Sequence, residues 1–168
     1  MCSSDLNPKD IEARGRMLLG AAFAGTAIEN SMLGAAHAAA NPLTAHYGIV
    51  HGEAVGILLP HVVRFNAKDA PAKRAYAELA SAPEIACVSD GLDAAVAALV
   101  ARLESLLNAA QIARSLADLG VKRSKTKVMA EEAAKQWTAG FNPRPIGVDD
   151  FEDLYAAAFE PRGDGDRG

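Results

Sequence analysis

Apolar residues return at three- and four-residue steps along almost the whole chain, and nowhere do they alternate cleanly with polar residues at every second position. That pattern buries one stripe of a helix and offers no half-buried strand, so it confines the chain to helical architectures. From Asp10 to Met32 the series Ile11, Leu18, Ala21, Ala22, Gly25 and Ile28 predicts one long amphipathic helix, with Asn7 or Asp10 near its cap. A second helix is predicted over Gly34–Ala40, limited by Pro42, because proline lacks a backbone donor and disfavours the helical conformation of the residue before it. After a loop around Asn41–Val50, a third helix runs from about His51 to Asn66 and presents Val55, Leu58, Leu59, Val62 and Phe65, with Pro60 as a kink.

The same reasoning predicts helices over Pro71–Ala80, over Gly91–Ala109 with Val96, Leu99, Val100, Leu103, Leu106 and Leu107 on one stripe, and over Gln111–Leu119 up to the stop at Gly120. Ser124 or Thr126 is placed to cap a helix reaching Thr138. Asp149 and Glu152 have capping-box spacing ahead of Phe151, Leu154, Tyr155 and Phe159. With 168 residues, 50% hydrophobic, the chain has room for one core. Five Phe, three Tyr and one Trp are too few aromatics to favour a β-sandwich or barrel, so the expectation is all-α, a multi-helix bundle.

A net charge of −4 shows no electrostatic footprint for nucleic acid or for an anionic membrane. Cys2 and Cys87 cannot build a disulfide framework, which points to free thiols in a reducing compartment, and so to the cytoplasm. No run of 18 apolar residues and no secretory signal is present. Met1–Leu6 lacks periodicity and matches the translation of a sequencing adapter, so it reads as non-native, with a chain truncated on its N-terminal side; the competing reading is a genuine polar tail. The helical domain is expected over 7–160 and a disordered tail over 161–168, where nothing apolar remains to bury. The Arg162-Gly163-Asp164 tripeptide within it is read as chance.

The chemistry concentrates between Gly34 and Glu53, a segment of small residues punctuated by His37, His46 and His51. Alanines around His37 give its imidazole little steric cover, so a ligand on a neighbouring element can reach it. A histidine at the start of the next helix meets the positive end of the macrodipole, which favours the neutral nitrogen a metal needs. The competing reading is a core histidine at His37 and a capping one at His51. Two imidazoles are also fewer than a catalytic metal site usually employs, and no HExxH or CxxC completes the set.

His37 followed by Asn41-Pro42-Leu43, then His51-Gly52, Ala54, Leu58-Leu59-Pro60-His61-Val62 and Asn66, resembles the helical C-terminal domain of the iron-containing (group III) alcohol dehydrogenases, within the dehydroquinate synthase-like superfamily. Asn142-Pro143-Arg144 ahead of Asp150 and Leu154-Tyr155 resembles the same family's terminal motif. The resemblance implies that His37 and His51 are metal ligands. It implies a divalent cation, Fe2+ in most members with Zn2+ or another metal open, and NAD or NADP bound mainly by an N-terminal α/β domain that this chain lacks. The substrates implied are small alcohols and aldehydes, and a homo-oligomer of the full-length enzyme is left open.

Three positions depart from the family pattern. Asn41 stands where a second histidine often lies near metal and nicotinamide, which makes Asn41 both the catalytic and a cofactor-binding candidate. An asparagine there can hydrogen-bond but cannot shuttle a proton. Ile28, also a cofactor-binding candidate, replaces an aromatic wall of the nicotinamide pocket, and Val50 replaces a frequent proline. The function expected is therefore the C-terminal half of a metal-dependent, NAD(P)-linked alcohol dehydrogenase, inactive by itself. The alternatives are a sister enzyme, such as a glycerol dehydrogenase or maleylacetate reductase, and a non-catalytic helical binding module.

Overall fold

The computed structural model of the chain describes residues 7, 9–82, 85–86, 89 and 91–162, so Met1–Leu6 and both cysteines lie outside the described residues. Among the described residues the fold is all-α, with seven α-helices: α1 (Ile11–Ser31), α2 (Ala35–Tyr47), α3 (His51–Asn66), α4 (Ala70–Ser81), α5 (Leu92–Ala109), α6 (Thr126–Ala134) and α7 (Val148–Ala158). Short 3-10 turns occupy Arg123–Lys125 and Trp137–Phe141. Helix α1 is capped by Asp10, whose carboxylate accepts from Ala13 N at 2.9 Å, as the sequence suggests. Its apolar stripe is another matter: no residue of α1 is buried, and among the described residues nothing covers Leu18, Phe23 or their neighbours.

The core forms around α2. Its Ala35, Ala36, Ala38, Ala39 and Ala40 are all buried, and side chains this small let α3 and α6 approach its backbone closely. Contrary to the expected stop before Pro42, α2 continues to Tyr47 and ends at Gly48, whose φ of 66° turns the chain while its N–H bonds Thr44 O at 2.9 Å. An interior proline costs a helix about 3 kcal/mol. Full burial of Leu43, worth about 1.5–3 kcal/mol, and the buried bond from Tyr155 Oη to Ala39 O at 2.7 Å offset it. Helix α3 spans the residues the periodicity predicts and joins two cores: Ala54, Ile57, Leu58, Val62 and Phe65 lie in the one it shares with α2 and α7, and Val63 lies in the other with Ala77, Ala80, Ala95 and Leu99 of α4 and α5. A Cβ at Gly56 would lie 2.9 Å from Leu107 Cδ2, so α3 and α5 approach closely there and a larger residue would need the Leu107 side chain to move.

The predicted helix over Gln111–Leu119 does not form. Asp118 Oδ2 instead accepts from Arg114 N (3.1 Å) and Ser115 N (3.0 Å), and Ser115 Oγ accepts from Asp118 N. These local side-chain bonds satisfy the backbone without a helix, while Leu116 is buried and its N–H reaches Ala158 O. Helix α6 begins at Thr126 but stops at Ala134, short of Thr138. In α7 the reach-back carboxylate is Asp150, which accepts from Gly147 N at 2.9 Å; the cap lies two residues before the predicted Asp149. Two residues of the expected tail, Pro161 and Arg162, are described. Arg162 is only 5% exposed, its N–H bonds Arg114 O and its Nη2 donates to Ile112 O, because a guanidinium can find carbonyl partners where no apolar side chain is available. Residues 163–168 lie outside the described residues.

The Asn142-Pro143-Arg144 motif closes the bundle. Asn142 and Asn66 exchange amide bonds (2.7 and 3.2 Å), and Asn142 Oδ1 also accepts from Ala35 N at the start of α2. Arg144 lies 3.9 Å over the Phe65 ring and donates to Phe65 O at 2.9 Å. Cation–π contact and hydrogen bond thus fix the end of α3 against the segment before α7.

Candidate metal centre

His37 and His51 come from different helices and meet. The α2 register places His37 between buried Ala36 and Ala38, with its own ring half-buried, and the three-residue turn Gly48–Val50 brings exposed His51, the first residue of α3, back beside it. Their ring centroids lie 5.3 Å apart with the planes at 46°. Burial first, and then the His51 ring, hold the His37 imidazole below the usual histidine range, which keeps a nitrogen lone pair available. A cation bonded to one nitrogen of each ring at about 2.1 Å in a tetrahedral arrangement sets such centroids roughly 5 Å apart, so the pair fits a shared ion. Among the described residues no third histidine, cysteine or carboxylate joins it. Glu53, two residues after His51 and so turned away from it around α3, accepts from Ala113 N at 3.5 Å.

Asn41 follows His37 by one turn on the same side of α2, since the helix persists through it. Its Nδ2 donates to Gln136 Oε1 at 3.0 Å, across 95 residues of sequence. Gln136 is the member of this cluster that the sequence does not reveal; no local motif marks it, and it arrives only because α6 packs on α2. The next residue begins an exposed edge-to-face aromatic pair, Trp137 and Phe141, with centroids 5.8 Å apart. Ile28 is 39% exposed on α1, and no described contact brings it to the imidazole pair. His46 and His61 are engaged elsewhere: His46 Nε2 pairs with Glu132 at 2.7 Å, and His61 lies mostly buried among Arg64, Glu104 and Arg162.

Residues 3–159 match the sequence profile described as the Fe-containing alcohol dehydrogenase family, C-terminal. The chain belongs to this family. It is 34% identical over 150 residues to lactaldehyde reductase of Escherichia coli strain K12, covering 89% of this chain and 39% of that protein. Against 1,3-propanediol dehydrogenase of Citrobacter freundii it is 36% identical over 155 residues, covering 89% of this chain and 38% of the relative. The crystal structure of a 1,3-propanediol oxidoreductase superposes with a TM-score of 0.87 at 30% identity, over 94% of this chain and 41% of that one. An alcohol dehydrogenase from Oenococcus oeni gives the same TM-score at 27% identity. The chain therefore spans about two fifths of the length of the relatives it matches. No helix among the described residues is long and apolar enough to cross a membrane.

Proposed function

We propose that this chain is the helical, metal-holding half of an NAD(P)-linked alcohol dehydrogenase acting on small alcohols and the corresponding aldehydes or ketones. The observation that carries the reading is the 5.3 Å approach of His37 and His51 from successive helices in a chain of the iron-containing family. His37 and His51 would hold the cation, Fe2+ or another divalent metal, with the remaining ligands supplied by an upstream α/β domain. A cation held there would supply Lewis acidity toward the substrate oxygen, and a dinucleotide bound mainly by that domain would supply the hydride acceptor. The balance is simple: the alcohol gives up a hydride from carbon and a proton from its hydroxyl, leaving the carbonyl compound. Asn41 offers an amide to hydrogen-bond beside the imidazoles and cannot take that proton, so proton release would not run through this side chain.

The 168-residue chain by itself is expected to be helical by circular dichroism and to give no alcohol-dependent reduction of NAD or NADP with added ferrous iron or zinc. Fusing it to an upstream dinucleotide-binding domain of the family should restore turnover. Robust turnover by the chain alone would overturn the division of labour. In that longer enzyme, Asn41→His is expected to add an ionisation to the pH profile of kcat/KM, between about pH 5 and 8 where imidazole titrates. Profiles that superimpose at equal metal content would place Asn41 outside the active site.

A further inference from the structure

We propose that Asn142 is a positioning residue for the metal centre: it caps α2 from outside that helix, ties it to α3, and so sets the register in which His37 meets His51. This rests on the reading above. A helix start leaves its first N–H groups without partners, and Gly34, at the cap position of α2, has no side chain to offer them. Asn142, 107 residues away, supplies the acceptor: its Oδ1 takes the Ala35 N–H at 3.3 Å, and His37 follows in the same turn. Backbone groups on both sides fix the orientation of this amide. Its oxygen faces the Ala35 N–H and its Nδ2 donates to Arg144 O at 2.7 Å, so a reversed amide would set nitrogen against a donor and oxygen against a carbonyl.

The same amide exchanges bonds with Asn66, the last residue of α3 as His51 is its first. One side chain therefore links the two helices that carry the imidazoles. Register matters here, because a metal accepts its ligand atoms only within about 0.2 Å of their preferred distances. Helix α2 packs through alanines at 35, 36, 38, 39 and 40, and methyl groups form shallow ridges that let helices approach while resisting a slide only weakly. A directed hydrogen bond holds one offset. Gly34 belongs to the same device, since a Cβ there would lie 3.1 Å from Asn142 Oδ1 and press the cap aside.

Three variants of the full-length protein test it. Asn142→Ala removes both the cap and the tie to α3. Asn142→Asp keeps an oxygen for the Ala35 N–H and gives up the donations to Arg144 O and Asn66 Oδ1. Gly34→Ala keeps Asn142 and crowds its oxygen. Affinity for Co2+ is read by titration of its visible absorption. Hydrogen exchange at the Ala35 amide and the melting temperature, both in metal-free protein, report the cap and the fold. Asn142→Ala is expected to weaken Co2+ binding about tenfold, the lower end of what an outer-shell partner is worth, and to speed exchange at Ala35. Asn142→Asp should melt below the parent, as Asn142→Ala does, yet hold Co2+ nearly as the parent does. Gly34→Ala should lie between the parent and Asn142→Ala in affinity while melting with the parent. Unchanged affinity in Asn142→Ala, or affinity that follows the melting temperature across the three variants, would overturn the proposal and leave Asn142 a structural clasp. A parent protein that binds no Co2+ would bring down the functional reading and the proposal with it, a result told apart from the others by the parent alone.

Discussion

Replacing His37 or His51 with alanine is expected to empty the proposed metal site in the full-length protein, lowering affinity by more than about a hundredfold, the upper end of what losing an outer-shell partner costs. A site of few ligands loses binding energy steeply when one is removed, and the two imidazoles lie within reach of a shared ion with no third histidine, cysteine or carboxylate among the described residues beside them. Neither substitution should unfold the protein. His51 is exposed at the start of α3, and His37 lies in a run where alanine is already the neighbour on both sides and is the best helix former. Elemental analysis of purified wild type and both variants, with far-ultraviolet circular dichroism as the fold control, reads the effect directly. Turnover should fall in step with metal content. Equal metal in all three proteins would make His37 a core histidine and His51 a helix-end residue, the competing reading of the same sequence.

Much of this site could be read before any coordinates, and the reason is local. His37 and His51 lie only fourteen residues apart, in segments whose small residues and helix boundaries are visible in sequence, and α3 has the span its apolar stripe predicts. What failed to show depends on tertiary contacts. Pro42 should end α2 by local rules, yet burial of Leu43 and the Tyr155 bond to Ala39 O carry the helix through it. The stretch after Gln111 has helical periodicity, but Ser115 and Asp118 bond the backbone locally and leave Leu116 to fill the core from a turn. Gln136 has no signature because its meaning lies wholly in a partner 95 residues away. The Asn142-Pro143-Arg144 motif was recognisable as a string, whereas its work as a clasp on Asn66, Ala35 and Phe65 required the packed helices.

Acid should destabilise the helical domain through His61. Burial, and after it the Arg64 guanidinium, lower the His61 imidazole to about 4; Glu104 pulls the other way and Arg162 adds to the lowering. Asp150 and Asp153 from the α7 side and Glu160 beyond it line the clefts next to His61. In the unfolded chain the same ring titrates near 6.5, so between about pH 6.5 and 4 the unfolded state binds a proton that the folded state refuses. Stability from this residue is therefore complete above pH 6.5 and falls as the pH drops through that window, by about 3 kcal/mol in total. His61→Gln keeps a polar side chain of similar reach and removes the ionisation. Chemical denaturation of the two proteins at pH 7.5 and pH 4.5 should show the wild type losing about 2–3 kcal/mol more than the variant on acidification. Carboxylates remote from His61 contribute equally to both proteins and cancel in the comparison, and Glu104, which faces it, works against the loss. Identical acid losses would mean that His61 accepts its proton in the folded state, with Glu104 or the α7 carboxylates as its partner and the guanidinium groups turned away.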